Sequence, residues 1–195
     1  MTAATTRGPG RPRNESIDSA ILAATVEELI ERGFIAATME SIAARAGIAK
    51  TTLYRRWPNT TDLAIAAMRT FETVDDELPD GTVRDQLVWL ITVMSRKWGD
   101  PRYSAMMRRV AADGSAQPQM YRDARDRLIG PHIERTNAVL ERGKREGVIR
   151  ADVEIEWLRQ LLVAPIMAAA LTLRERVSNE HIELTVDTVL KGLRP

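Results

Sequence analysis

The chain has 195 residues, 28 Lys and Arg against 27 Asp and Glu for a net charge of +1, and no cysteine. The length can bury one good core or two small ones, and the missing cysteine excludes disulfides, thiolate metal sites and cysteine nucleophiles, which fits a reducing cytoplasm. No run of about 18 apolar residues is evident and the N-terminus lacks a signal-peptide core, so neither a membrane span nor export is indicated.

Apolar residues recur at spacings of three and four almost throughout, without a convincing alternating strand, so an all-α fold of about nine helices is expected. Residues 1–14 are Gly, Pro, Thr and Arg without an apolar pattern and read as a flexible basic arm. Gly10-Arg11-Pro12-Arg13 resembles an AT-hook core. Arg7, Arg11 and Arg13 would suit a minor groove whose narrow A·T stretches attract arginine, although a solvated tail is the plain alternative. A first helix follows from about residue 15 to Arg32, with Ile21, Leu22, Val26, Leu29 and Ile30 on the face that covers what comes next. Gly33 ends it.

Thr38 to Leu63 reads as helix, tight turn, helix. Thr38 can cap a short helix with Glu40 in its first turn, and Met39, Ile42, Ala43 and Ala46 share a face. Gly47 suits the position past its C-terminus, and Ile48 can plug the angle between helices. A second helix, about Lys50 to Arg56, turns Leu53 and Trp57 inward and Lys50, Thr51, Thr52, Tyr54, Arg55 and Arg56 largely outward. From Ser41 to Pro58 there are Arg45, Lys50, Arg55 and Arg56 and no acid, so cationic charge is concentrated there in a nearly neutral chain. A polar, basic helix held at an angle by a Gly turn is the form of a helix-turn-helix, whose second helix reads base edges in the major groove.

These residues carry a resemblance. Gly33-Phe34, Thr38-Met39, Ile42-Ala43, Ala46-Gly47-Ile48, Lys50, Thr52-Leu53-Tyr54, Trp57-Pro58-Asn59 and Leu63 stand at the intervals of the TetR family of bacterial regulators. The chain departs from that pattern at Ala49, where the family usually has a capping Ser, and at Thr60, where it usually has Lys. Thr60 or Thr61 can still cap the next helix. The resemblance implies an operator-binding homodimer in the bacterial cytoplasm, nucleoid-associated when bound to DNA. Thr38, Lys50, Thr51, Thr52, Tyr54 and Arg55, together with the arm arginines, form the expected DNA contacts.

The remaining chain divides into a connecting helix 4 within 61–80 and a C-terminal domain over 81–195, separated from the head at 15–60. Helix 4 carries Leu63, Ala67, Phe71, Val74 and Leu78 to the Pro79-Asp80-Gly81 turn. Five more helices are expected, at about 83–98, 102–112, 118–145, 153–174 and 179–193, with Gly130-Pro131 placed to kink or interrupt the third. The resemblance implies a ligand pocket here, for which Trp89, Met94, Trp98, Tyr103, Met106, Met107, Met120, Tyr121, Trp157 and Met167 are candidates. Met and aromatic side chains line adaptable apolar sites and equally fill plain core. The resemblance also implies pairing of the last two helices between subunits, with Leu161, Leu162, Ile166, Ala169, Leu173, Val186, Val189 and Leu190 as candidate interface positions.

No catalytic motif is present: His132 and His181 are far apart and in no metal-ligand spacing, and no phosphate loop or Gly-x-Ser-x-Gly occurs. Neither catalytic residues, a metal nor a cofactor is expected. The sequence therefore points to a homodimeric repressor of double-stranded operator DNA, responsive to a small apolar effector. A DNA-binding or architectural protein without an inducer is the alternative.

Overall fold

The computed structural model describes residues 15–72, 77–116, 118–173 and 176–193, except the side chains at 15, 114–116, 118–121, 123–125, 128 and 173. Arg7, Arg11 and Arg13, and the side chains of Met120, Tyr121 and Leu173, lie outside the described residues. Among those described there are nine α-helices and no strand: α1 Glu15–Ala36, α2 Met39–Ala46, α3 Lys50–Tyr54, α4 Thr60–Arg69, α5 Val83–Trp98, α6 Pro101–Ala116, α7 Pro118–Arg145, α8 Ile155–Ala168 and α9 Asn179–Gly192. The all-helical reading of the apolar periodicity holds.

Among the described residues, three apolar clusters organise the chain. In the head, Ile21, Met39, Ile42, Ala43, Leu53 and Leu63 pack together, with Ile48 and Trp57 against them. In the body, α5, α7, α8 and α9 bury Leu87, Ile91, Leu140, Leu158, Leu162, Ile166, Ile182 and Val186. Between them, Val26 and Leu29 of α1 and Ala64, Ala67 and Met68 of α4 meet Tyr103, Met106 and Val110 of α6. The apolar face of α1 is thus divided: Ile21 covers the helix-turn-helix, whereas Val26 and Leu29 run on into a junction shared with the body. Helix α4 is the continuous chain between head and body, but α1 is a second mechanical link.

Gly33 interrupts α1 rather than simply ending it, with φ 81° and ψ 176°. Only glycine occupies that conformation readily, and a Cβ there would stand 2.2 Å from Asp113 Oδ2 on α6. The chain then resumes one helical turn, whose Phe34 and Ile35 N–H groups donate to the Asp113 carboxylate at 2.7 and 3.3 Å. These donors would otherwise be orphaned by the break, and the body supplies their acceptor.

Helix α4 ends at Arg69, well before the expected Leu78. Thr70, Phe71 and Glu72 N–H groups fold back on carbonyls three residues earlier, tightening the last turn and releasing Phe71 from the helical path. Asn59, not Thr60 or Thr61, caps α4, its Oδ1 accepting from Asp62 N at 2.8 Å. Helix α7 runs continuously through Pro131. Helix α8 gives way to a π-helical turn over Ala169–Leu173, where a regular helix to residue 174 was expected.

The stretch Ile155–Thr172 is more apolar than the reading of the sequence allowed: over 18 residues its mean hydropathy is 1.3, long and apolar enough to cross a membrane by length and composition, and only 28% of it is buried. Helix α8 also carries Glu156 and Arg159, whose side chains are paired at 2.5 Å. Its two apolar faces differ in fate. Leu162 and Ile166 are buried in the chain's own core, as are Ala169 and, on α9, Val186, so the chain itself already covers these candidate interface positions. Val189 and Leu190 are partly buried against the same core. The apolar surface left open is one step round the helices, at Trp157, Leu161 and Leu184.

Candidate functional site

The head is built by local signals. Thr38 and Ser41 form a reciprocal cap at the start of α2, with Ser41 N donating to Thr38 Oγ1 at 3.1 Å and Thr38 N to Ser41 Oγ at 3.0 Å. Gly47, at φ 66°, closes α2: its N–H reaches Ala44 O, and Ile48 N–H reaches Ala43 O. This is a Schellman turn, which sets α3 at an angle to α2. Ala49 leaves α3 without a side-chain cap. The five-residue helix is held instead by Leu53, fully buried, and by the following Trp57.

Thr38, Lys50, Thr51, Tyr54 and Arg55 are exposed on the surface carrying α3, and Thr52 is half-buried beside them. Lys50 Nζ lies 3.2 Å from Glu40 Oε1 across the turn. Arg55 meets no acid among the described residues. The other two cations of the stretch point elsewhere. Arg56, expected outward, pairs with Asp18 and is only 13% exposed. Arg45 lies 2.8 Å from Glu28 Oε2 and also pairs with Glu31. Burial alone would raise the Glu28 carboxyl; Ser41, Arg45 and Arg32 outweigh it and hold the group below its ordinary value. These two arginines therefore bind α1 to the helix-turn-helix.

The body contains two adjoining cavities. One, of about 300 Å³, lies among α5, α6, α7 and α8 and is mostly apolar; its walls include Met94, Trp98, Tyr103, Met107 and Met167, five of the expected ligand residues. The other, of about 310 Å³, is bounded by α4, α5, α6 and α7 and is strongly basic, with Arg69, Lys97, Arg127, His132 and Arg135 around it and Glu72 as its acid. Lys97, Tyr103, Ile129 and His132 line both, so the cavities meet at these four side chains.

Other expected ligand residues are used differently. Met106 is fully buried in the α1–α4–α6 junction, and Trp89 packs against the body core; neither lines either cavity. Trp157 is 57% exposed on the outer face of α8, because helical spacing alone does not distinguish an inner from an outer apolar face.

At the shared wall Lys97 Nζ is 2.9 Å from His132 Nε2. One of these nitrogens donates and the other accepts, and the tautomer of the ring decides which. His132, unremarkable in sequence, thus occupies the boundary between cavities. Glu72 Oε1 lies 3.7 Å from Lys97 Nζ and 3.6 Å from His132 Nε2. Burial, with the Glu72 charge added, pushes the Tyr103 phenol up to about 12. The Tyr103 ring stands edge-on to Phe71 at 5.3 Å and Trp98 at 5.5 Å, so it ties the end of α4 to the apolar cavity. Sequence reasoning missed this basic cavity because its cations come from α4, α5 and α7.

Comparison with known proteins agrees with the helix-turn-helix geometry. The family model described as bacterial regulatory proteins, tetR family, matches residues 21–67, and that of the tetracyclin repressor-like C-terminal domain matches residues 78–189. The HTH-type transcriptional regulator YdeS of Bacillus subtilis strain 168 is 29% identical over 95% of this chain and 93% of its own. A DNA-binding transcriptional repressor TetR of Mycobacteroides abscessus is 29% identical over 91% and 94% respectively. Among solved structures, the fatty acid degradation regulator FadR of Bacillus halodurans superposes with a TM-score of 0.69 over 97% of this chain and 99% of its own, at 17% identity. The head that presents α3 and the helical body behind it are therefore shared over nearly the whole length, and the chain belongs to the TetR family of bacterial transcriptional regulators.

Proposed function

We propose that the protein is a ligand-responsive repressor that binds an inverted-repeat operator as a homodimer. The observation that carries this reading is the placement of two cavities directly behind α4 and α6, the helices that also build the junction to the DNA-reading head. An effector in the body therefore lies against the elements on which the head is mounted. The alternative without an inducer calls for a filled body, and cavities of about 300 and 310 Å³ favour the effector. Structural neighbours are in keeping with this: one is described as a FadR of Bacillus subtilis in complex with stearoyl-CoA and another as a flavonoid-responsive regulator.

Support for a dimer comes from α8. An apolar helix with 28% of its apolar stretch buried leaves Trp157, Leu161 and, on α9, Leu184 in water, and a second copy can cover them. Two heads related by a two-fold axis would meet successive major grooves about 34–36 Å apart. On this reading Thr51, Thr52 and Tyr54 read or position DNA, with Lys50 and Arg55 on phosphates. The arm arginines Arg7, Arg11 and Arg13 are proposed for the minor groove. Selection of duplexes from a random pool by the purified protein tests this reading: it should enrich an inverted repeat, and an enriched single half-site or no enrichment contradicts it.

A further inference from the structure

The two cavities meet at one wall and differ in balance: the mostly apolar one has Arg159 besides the shared Lys97 and His132, whereas the other is richer in cations. The apolar one is closed on the α8 side by Val163 and Met167, and the basic one is lined by four cationic side chains, Arg69, Lys97, Arg127 and Arg135, with Glu72 the one acid among its described lining residues. Such a basic lining is local, since the whole chain balances to +1. Lys97, 10% exposed, stands where the two spaces join.

Two carboxylates that face these cations come from the two ends of α4. Asp62, in its first turn, pairs with Arg127 of α7. Glu72, three residues past its last, lies near Lys97 and His132. Between these ends Leu63 is buried in the head core, and Ala64, Ala67 and Met68 in the junction. The cavity cations therefore hold α4 at both ends through charge.

We propose, building on the repressor reading, that the effector is an anionic amphiphile: an apolar body fills the α5–α8 cavity, and a carboxylate or phosphate enters the basic cavity, displacing Asp62 and Glu72 as counter-ions of Arg127 and Lys97. Neutral apolar molecules fill the first cavity without competing for those cations. The anion and the α4 carboxylates are mutually exclusive partners, so occupancy loosens α4 from α7 and α5. By reciprocity, anything that weakens the α4 carboxylates strengthens anion binding.

The test uses the full-length chain and four probes: decanoate, decyl phosphate, decanol and inorganic phosphate, each titrated by calorimetry and then against the selected operator complex. Decanoate or decyl phosphate should bind roughly tenfold more tightly than decanol, the worth of one charge-assisted contact, and whichever is tighter identifies the head group. Lys97→Met should remove the preference. Asp62→Asn, which retains the side-chain shape at the start of α4, should tighten decanoate several-fold while decanol is unaffected. Equal affinities for decanol and decanoate, tight binding of inorganic phosphate alone, or an Asp62→Asn protein with wild-type preference overturns the proposal. If decanol also releases operator, the repressor reading survives that outcome; if the cavity binds probes and none changes operator affinity, the repressor reading itself fails.

Discussion

The carboxylate of Asp113 on α6 accepts a 2.7 Å hydrogen bond from the backbone N–H of Phe34, one residue past the Gly33 break in α1. Arg109, one turn earlier on α6, donates to Arg32 O at 3.2 Å. A body helix thus completes the backbone hydrogen bonding of a head helix on both sides of its interruption. Asp113→Ala leaves the Phe34 and Ile35 donors without that acceptor and should cost about 1 kcal/mol, the usual worth of a lost cap. Gly33→Ala adds both the left-handed backbone strain and the 2.2 Å approach to Asp113 and should cost more, about 2–3 kcal/mol. Urea unfolding of the two variants checks both the sign and the order.

The recognition surface leads to a prediction that distinguishes its two cations. Arg55 meets no acid among the described residues, whereas Lys50 must leave Glu40 to reach a phosphate. Arg55→Ala should weaken binding to all duplexes and reduce the slope of log affinity against log salt by about one. Glu40→Gln should strengthen binding to all duplexes, because it releases Lys50 and removes a negative charge from the DNA-facing side. Anisotropy titrations over a salt series give both slopes; an unchanged slope for Arg55→Ala removes Arg55 from the phosphate contacts.

Helix α8 offers a test of assembly. Leu161 is 40% exposed, unlike its neighbour Leu162, which is fully buried. Leu161→Glu places a charge on the face proposed for the partner without opening the intrachain core. Sedimentation velocity should find wild-type dimers and Leu161→Glu monomers with wild-type helical content. A variant that remains dimeric places the interface elsewhere.

The Glu28 carboxyl makes a pH-dependent contribution whose sign is fixed by its lowered pKa. A carboxylate whose pKa is lowered on folding stabilises the fold above its ordinary value of 4.5, and that contribution is lost as pH falls through the lower folded value. Glu28→Gln should therefore destabilise by about 2 kcal/mol at neutral pH, since the Arg45 and Arg32 partners lose their buried acceptor. The difference from wild type should shrink below pH 4.5. Denaturant titrations at neutral and acid pH measure it, and a constant difference contradicts the assignment.

The helix-turn-helix was legible in the sequence because its determinants are local: the Thr38 cap, the Gly47 turn and the Leu53 anchor each act within a few residues. Arg45 and Arg56 misled for the opposite reason. Their acids, Glu28 and Asp18, stand 17 and 38 residues away, so the stretch looks uniformly cationic when read alone. The same limit applies to the body. Met94, Trp98 and Tyr103 announced an apolar site by composition, but the basic cavity forms only when α4 and α7 come together, as Asp62 and Arg127 do across 65 residues. Trp157 and Leu162 lie on one apolar helix, and its periodicity does not say which face the chain keeps for itself.

On the proposed reading, occupancy of the body controls the head. The most direct test is the affinity of the dimer for its selected operator, measured by anisotropy without and with saturating decanoate, with calorimetry confirming that the cavity is occupied. A fall of about 5- to 150-fold is expected, corresponding to a coupling of about 1–3 kcal/mol. Operator affinity that stays the same while decanoate fills the cavity would contradict it.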